Sequence, residues 1–205
     1  MKILAVGAHP DDIEIGCAGS LLKYAASGHD VYLFIMTHGE MGGKAEKRKE
    51  EQARSAEIMN VRDLFWGEYN DTQLALFLNN MISDIEAVAK KIKPDFVFVN
   101  YGDDTHQDHR ALSKATISAT RYIKNVLFYE TPTTNNFSPT LFIDLKDTMD
   151  KKTTVLLAHK SQVERTNIKG LSILDIAKSM AVFRGLQGRV FFAEGFMPLR
   201  SFINI

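Results

Sequence analysis

The chain has 205 residues, 45% of them hydrophobic and 24% charged, ordinary values for a globular protein and enough length for one domain with a sizeable core. Lys plus Arg (25) equals Asp plus Glu (25), so no bulk charge draws it to nucleic acid or to an anionic membrane. One cysteine, Cys17, excludes an intramolecular disulfide framework and points to a reducing, cytoplasmic setting. The opening apolar run is too short for a signal peptide, and no stretch approaches the roughly 20 apolar residues of a membrane span.

Residues 2–8 are β-branched and apolar and predict a strand, closed by Gly7 and the His9-Pro10 turn. Asp11 or Asp12 then stands where helix N-caps stand, and Ile13, Ile15, Leu21, Leu22 and Tyr24 give a helical stripe that ends at Gly28. Val31 to Met36 is a continuous apolar run, as expected of a strand buried on both faces. A Gly-rich loop, 37–43, leads into a charged helix over 44–59 with Ala53, Ala56 and Met59 on one face. Residues 63–66 predict a short strand and 72–92 a long amphipathic helix, stopped by Pro94. A central strand follows over 95–100, a helix over 110–123, strands over 125–129 and 141–145, and a helix over 147–158. A last strand is expected over 189–192. Strands alternating with helices predict a single α/β domain over 1–205, Rossmann-like and doubly wound, with a mostly parallel sheet.

Two His/Asp clusters end two of these strands. The first is Ala8-His9-Pro10-Asp11-Asp12 and the second is Asp103-Asp104-Thr105-His106-Gln107-Asp108-His109-Arg110. Carboxyl ends of parallel strands converge on one crevice, where ligands bind. Taken singly, Asp11 and Asp12 would serve as helix caps, and His106 and His109 as parts of a polar loop. Taken together, the clusters offer two histidines and one carboxylate with an open fourth position, the pattern of a catalytic rather than a structural zinc. A metal-activated water then needs a base, for which Asp11, next to Asp12, is placed. A developing oxyanion needs a donor, which His106 supplies as imidazolium if Asp108 charges it.

These residues resemble the PIG-L/LmbE-like zinc N-deacetylase family. Thr37-His38-Gly39-Glu40, Arg48-x-x-Glu51, His159-Lys160-Ser161-Gln162 and Phe192-Ala193-Glu194-Gly195-Phe196 extend the match in order along nearly the whole chain. The resemblance implies zinc, or another divalent ion such as Fe2+, held by His9, Asp12 and His109. It implies Asp11 as general base and then acid, and His106, paired with Asp108, as oxyanion stabiliser. Arg48, Glu40 and His159 match substrate-pocket positions, with His159 at the pocket rim. The implied reaction removes acetyl from an N-acetylglucosamine-type sugar, often joined to inositol, malate or a lipid, in proteins that form trimers or hexamers. Gln107 and Asn60 replace the family's usual proline and glycine, and neither replaces a ligand.

Three other readings compete. Asp103, Asp104 and Asp108 would hold a second metal in a phosphoesterase. A nucleotide-binding module is opposed by the first turn, which lacks the second glycine of the dinucleotide fingerprint and places negative charge where a pyrophosphate would lie. A sugar-binding relative without catalysis is opposed by the intact His/Asp set. Arg48 opens the helix after the Gly-rich loop, so its guanidinium is expected at the crevice mouth, on sugar hydroxyls or an anionic aglycone. Cys17, His38 and Trp66 are expected to be structural.

Overall fold

The computed structural model describes residues 1–202. Its elements run β1 (Lys2–Gly7), α1 (Asp12–Ala26), β2 (Asp30–Thr37), α2 (Ala45–Ile58), β3 (Asp63–Tyr69), α3 (Leu78–Ile92), β4 (Phe96–Asn100), α4 (Gln107–Ala119), β5 (Asn125–Tyr129), β6 (Leu141–Asp144), α5 (Met149–Leu157), α6 (Ile173–Gly188) and β7 (Ala193–Arg200). They build a seven-stranded sheet of order β3-β2-β1-β4-β5-β7-β6. The first five strands are parallel, and β7 and β6 add antiparallel pairs at one edge. No helix of the described residues is long and apolar enough to cross a membrane.

The period-2 alternation of the strands divides the core into two layers. Ile3, Ala5, Leu33, Ile35 and Phe98 face α1 and Val155 of α5. Leu4, Val6, Phe34, Met36, Val97 and Val99 face Met81 and Ile85 of α3 and Leu112 and Ala115 of α4. The chain winds outward from β1 to β3, then returns to place β4 on the other side of β1. This reversal opens a crevice at the carboxyl ends of β1 and β4, where both His/Asp clusters begin.

Three expectations change. The long helix over 72–92 is a 3-10 turn, Leu74–Phe77, followed by α3. The buried face of α2 is polar, made of Arg48, Glu51, Gln52 and Ser55 with Ala56, while Ala53 is exposed. The last strand lies at Ala193–Arg200 rather than 189–192, and α6 precedes it. Asn60, which stands where the resembled family usually has glycine, has φ 57°, a left-handed conformation that Asn adopts at smaller cost than most residues.

A buried ion pair fixes α1 from its middle. Lys152 of α5 donates Nζ–H to the Ile15 carbonyl (2.7 Å) and to Glu194 Oε1 (2.6 Å). Glu194 of β7 accepts the backbone N–H groups of Gly19 (2.9 Å) and Ser20 (2.7 Å). Ile15 and Gly19 are an i, i+4 pair of the continuous helix α1, so Lys152 and Glu194 grip it at one turn. Gly16 and Gly19 let the neighbours in: a Cβ at Gly16 would collide with the Tyr129 ring, and one at Gly19 with Leu145.

Candidate metal centre

The turn between β1 and α1 carries the first cluster. Asp11 is the N-cap of α1 at φ 90° and makes no side-chain cap bond, so the capping role expected of it is not the one it has. Its carboxylate pairs with Arg48 instead (Nη2 to Oδ2, 3.2 Å). Arg48 also donates to the Pro10 carbonyl (2.6 Å) and the Gly39 carbonyl (2.8 Å), which holds the strained turn in place. Gly39 is required here, since a Cβ would strike the Arg48 guanidinium and φ is 65°. Arg48 lines the crevice, but it is 5% exposed and turned inward rather than at the mouth: Nη1 and Nη2 are held by the Gly39 and Pro10 carbonyls and Asp11, and the buried Nε has no hydrogen-bond partner among the described residues.

Asp12 meets both histidines. Its Oδ2 accepts the His9 backbone N–H (2.9 Å) and lies 3.4 Å from His9 Nδ1, and its Oδ1 lies 3.2 Å from His109 Nε2. That His109 nitrogen is buried and makes no hydrogen bond among the described residues. Each imidazole is held from behind by acid. His9 Nε2 faces Asp108 Oδ2 (3.1 Å) and Asp71 Oδ1 (3.0 Å), and His109 Nδ1 faces Asp104 Oδ2 (3.0 Å). Carboxylates that orient the distal nitrogen of a ligand imidazole are the usual outer layer of a metal site. Ligands about 2.0–2.2 Å from a tetrahedral ion stand about 3.3–3.6 Å apart, close to the spacings of His9 Nδ1 and His109 Nε2 from Asp12. His9, His106 and His109 offer nitrogens within 4.8 Å of one another beside Asp12, a cluster that could hold a metal ion.

In the protein without an ion, these groups hold one another's charges. Burial works against a charged His109, but Asp12 and Asp104 outweigh it and lift its pKa to about 9. Burial likewise opposes the Asp104 carboxylate, yet His109 and the His106 backbone N–H hold it down at about 2. Burial pushes Asp11 up to about 6, against the opposing pull of Arg48 and His159.

The expected His106–Asp108 pair is absent. Asp108 spends its carboxylate on His9, on Thr72 N–H (2.7 Å) and on Leu74 N–H (3.1 Å). His106 is the N-cap of α4, and its Nδ1 accepts the Asp108 backbone N–H (3.3 Å). A nitrogen that accepts carries no proton, so the ring is neutral with its proton on Nε2, not the imidazolium that was expected. Burial and the neighbouring His9 and His109 charges lower the His106 pKa, in agreement.

Glu40 and His159 support the site without lining it. Glu40 accepts the Asp71 backbone N–H (2.7 Å) while Asp71 Oδ2 accepts Met41 N–H (3.1 Å), so Glu40 fixes the acid behind His9. His159 is fully buried, with Nε2 3.5 Å from Glu14 Oε1, and is not at the pocket rim. Asp71 and Gln52, which accepts the Asp11 backbone N–H (3.3 Å), were not anticipated; neither has a sequence spacing that ties it to the clusters. Of the carboxylates proposed for a second metal, Asp108 lies with His9 and Asp71 in a group whose ligand atoms are within 4.8 Å of one another, while Asp104 and Asp103 are engaged elsewhere. Asp104 holds His109, Thr134 Oγ1 (2.9 Å) and His106 N–H (2.8 Å), and Asp103 holds Asn136 (2.9 Å).

The crevice above these groups has a volume of about 420 Å³, within the range of about 300–1,000 Å³ usual for small-molecule sites. Met41, Thr133, Gln162 and Arg165 form its outer wall. A larger cavity of about 630 Å³, around Lys90, Pro94 and Tyr122, opens at the opposite ends of the strands and contains no imidazole.

A model of the PIG-L family, described as GlcNAc-PI de-N-acetylase, matches residues 4–120. YaiS of Escherichia coli (strain K12), described as an uncharacterized deacetylase, is 37% identical over 167 residues, covering 78% of this chain and 90% of that protein. The diacetylchitobiose deacetylase of Thermococcus kodakarensis is 29% identical, covering 78% of this chain and 70% of its own length. Among solved structures, the conserved protein TT1542 of Thermus thermophilus superposes with a TM-score of 0.87 at 26% identity, over 99% of this chain and 96% of that one.

Proposed function

The chain belongs to the GlcNAc-PI de-N-acetylase (PIG-L) family, and from that premise we propose a zinc-dependent hydrolase that removes the N-acetyl group from an N-acetylglucosamine-type sugar or conjugate. Relatives named as deacetylases of amino sugars support the reaction class. The observation that carries the metal chemistry is the pair of imidazoles, each with one nitrogen on buried acid and the other at Asp12.

His9 Nδ1, Asp12 and His109 Nε2 are the residues that would hold the ion. When bound, a zinc-class ion supplies Lewis acidity and makes water nucleophilic near neutral pH. Asp11 is the group that takes the proton of the attacking water and returns it to the leaving nitrogen; burial lifts its pKa to about 6, near the range a base needs at neutral pH. Arg48 keeps its carboxylate aimed. His106 donates its Nε2 proton to the amide oxygen as negative charge grows there. A neutral imidazole held by a helix N-terminus serves this purpose without an extra charge.

The same reading places the protein in the cytoplasm, with which the single buried cysteine accords, and as a homo-oligomer, trimer or hexamer, which light scattering would test. The central test is amine release from N-acetylated sugars by zinc-loaded enzyme. Asp11→Asn should keep one ion per chain and lose about 10²–10⁴-fold in turnover, the usual contribution of a general base. Two ions per chain with phosphodiester cleavage, and no amine from any N-acylated amino sugar, would overturn the reading in favour of a phosphoesterase.

A further inference from the structure

The charged groups that line the crevice are almost all neutralised within the protein. Asp11 pairs with Arg48, Asp71 with His9, and Asp12 with His9 and His109. Arg165 is the exception: its guanidinium is exposed and makes no ion pair or hydrogen bond among the described residues, yet it forms part of the crevice wall.

Its position is fixed by the backbone beneath it. Ser161 donates N–H (2.9 Å) and Oγ–H (2.6 Å) to Glu51, and Gln162 donates Nε2–H to the Gly42 carbonyl (3.2 Å). Arg165 N–H then bonds the Gln162 carbonyl (2.9 Å). These bonds tie the segment to α2 and to the Met41–Gly43 turn. The side chain leans over that turn, with Nη1 3.6 Å from where a Cβ on Gly43 would stand.

We propose that Arg165 selects substrates whose amino sugar carries an anionic group, a carboxylate or a phosphate, at the crevice mouth. The inference rests on the deacetylase reading above. A guanidinium presents a planar fork that matches both anions with two parallel hydrogen bonds, and it is costly to cover with a neutral group that leaves those donors unpaired. The role expected of Arg48 passes to Arg165, because the Arg165 guanidinium is exposed and unengaged among the described residues, whereas that of Arg48 is buried and holds Gly39, Pro10 and Asp11.

The test uses zinc-loaded wild-type, Arg165→Gln and Arg165→Lys proteins on three substrates: a neutral methyl N-acetylglucosaminide, N-acetylglucosamine 1-phosphate, and an N-acetylglucosaminide of a hydroxy acid. Arg165→Gln should raise KM for an anionic substrate, relative to the neutral one, by about five- to tenfold, the effect of one charge-assisted contact at a solvated rim. Arg165→Lys should restore part of it, and added salt should erode the anionic preference of the wild type only. The two anionic arms show which anion is preferred. An unchanged ratio of anionic to neutral KM in Arg165→Gln overturns the inference. If no sugar releases amine, the deacetylase reading falls by itself. Calorimetric titration of the same three sugars into wild type and Arg165→Gln then still decides the charge preference, and equal affinities would sink it.

Discussion

At the scale of single residues, the centre is a set of imidazoles trapped between acids. Asp104 is the clearest case: 3% exposed, it fixes the His109 ring through Nδ1 and leaves Nε2 facing Asp12. Asp104→Asn should lower zinc affinity by about 10–100-fold while leaving the ligands in place, read by competition with a chromophoric chelator. The same acids set a pH dependence. His109 rises from 6.5 to about 9 in the ion-free protein, so the stability it contributes is fully present below pH 6.5 and is lost as pH rises through about 9. Thermal melts of chelator-treated protein should therefore fall in midpoint across that window. A midpoint that climbs instead would show that His109 carries no proton there. Zinc must displace that proton, so its apparent affinity should increase over the same window. His106 belongs to this scale too. Its histidine identity is plain from the sequence, but its tautomer follows from which backbone N–H it caps, and that is a matter of α4's first turn.

At the scale of elements, α1 carries Asp11 and Asp12 at one end and is gripped at its middle by the Lys152–Glu194 pair. Glu194→Ala would leave the Lys152 ammonium, 2% exposed, without its counter-charge, and should cost about 3–5 kcal/mol of unfolding free energy in urea titrations. Replacing both, as in Lys152→Met with Glu194→Leu, should recover most of that loss, because no charge is then stranded. A double variant as unstable as Glu194→Ala would show that the helix backbone itself depends on the pair. The Phe192–Phe196 motif was visible in the sequence, but its work on α1 was not, since Glu194 acts on residues 174 and 175 positions away. The polar inner face of α2 was hidden for a related reason. Arg48 and Glu51 stood out in the sequence as a motif, but their inward turn, and the burial of Gln52 and Ser55 beside them, depend on partners that the site beneath supplies. By contrast, α6 had a legible start: Ser172 and Asp175 form a reciprocal capping box. Within α6, Gly185 is where the Phe191 backbone packs too closely for a side chain.

At the scale of the whole molecule, both core layers draw on β1 to β5 and β7, and the site draws on β1, β4 and the segments that follow them. We expect one cooperative unfolding unit over the chain. The lone Trp66, in β3, lets this be checked: its fluorescence and the far-UV circular dichroism of chelator-treated protein should give coincident urea transitions. Separated midpoints would mean that the antiparallel edge, β6 with β7, melts independently. Local chemistry in the sequence determined the strand and helix order up to residue 158, the parallel sheet, and the two His/Asp clusters, because these depend on periodicity and on turn residues a few positions apart. The pairing of Asp108 with His9 rather than His106, the recruitment of Asp71, the burial of Arg48 and the exposure of Arg165 were decided only by the tertiary structure. Each depends on a partner tens of residues away, and the winding of the strands around β1, not the spacing of any motif, brings those partners within hydrogen-bond reach.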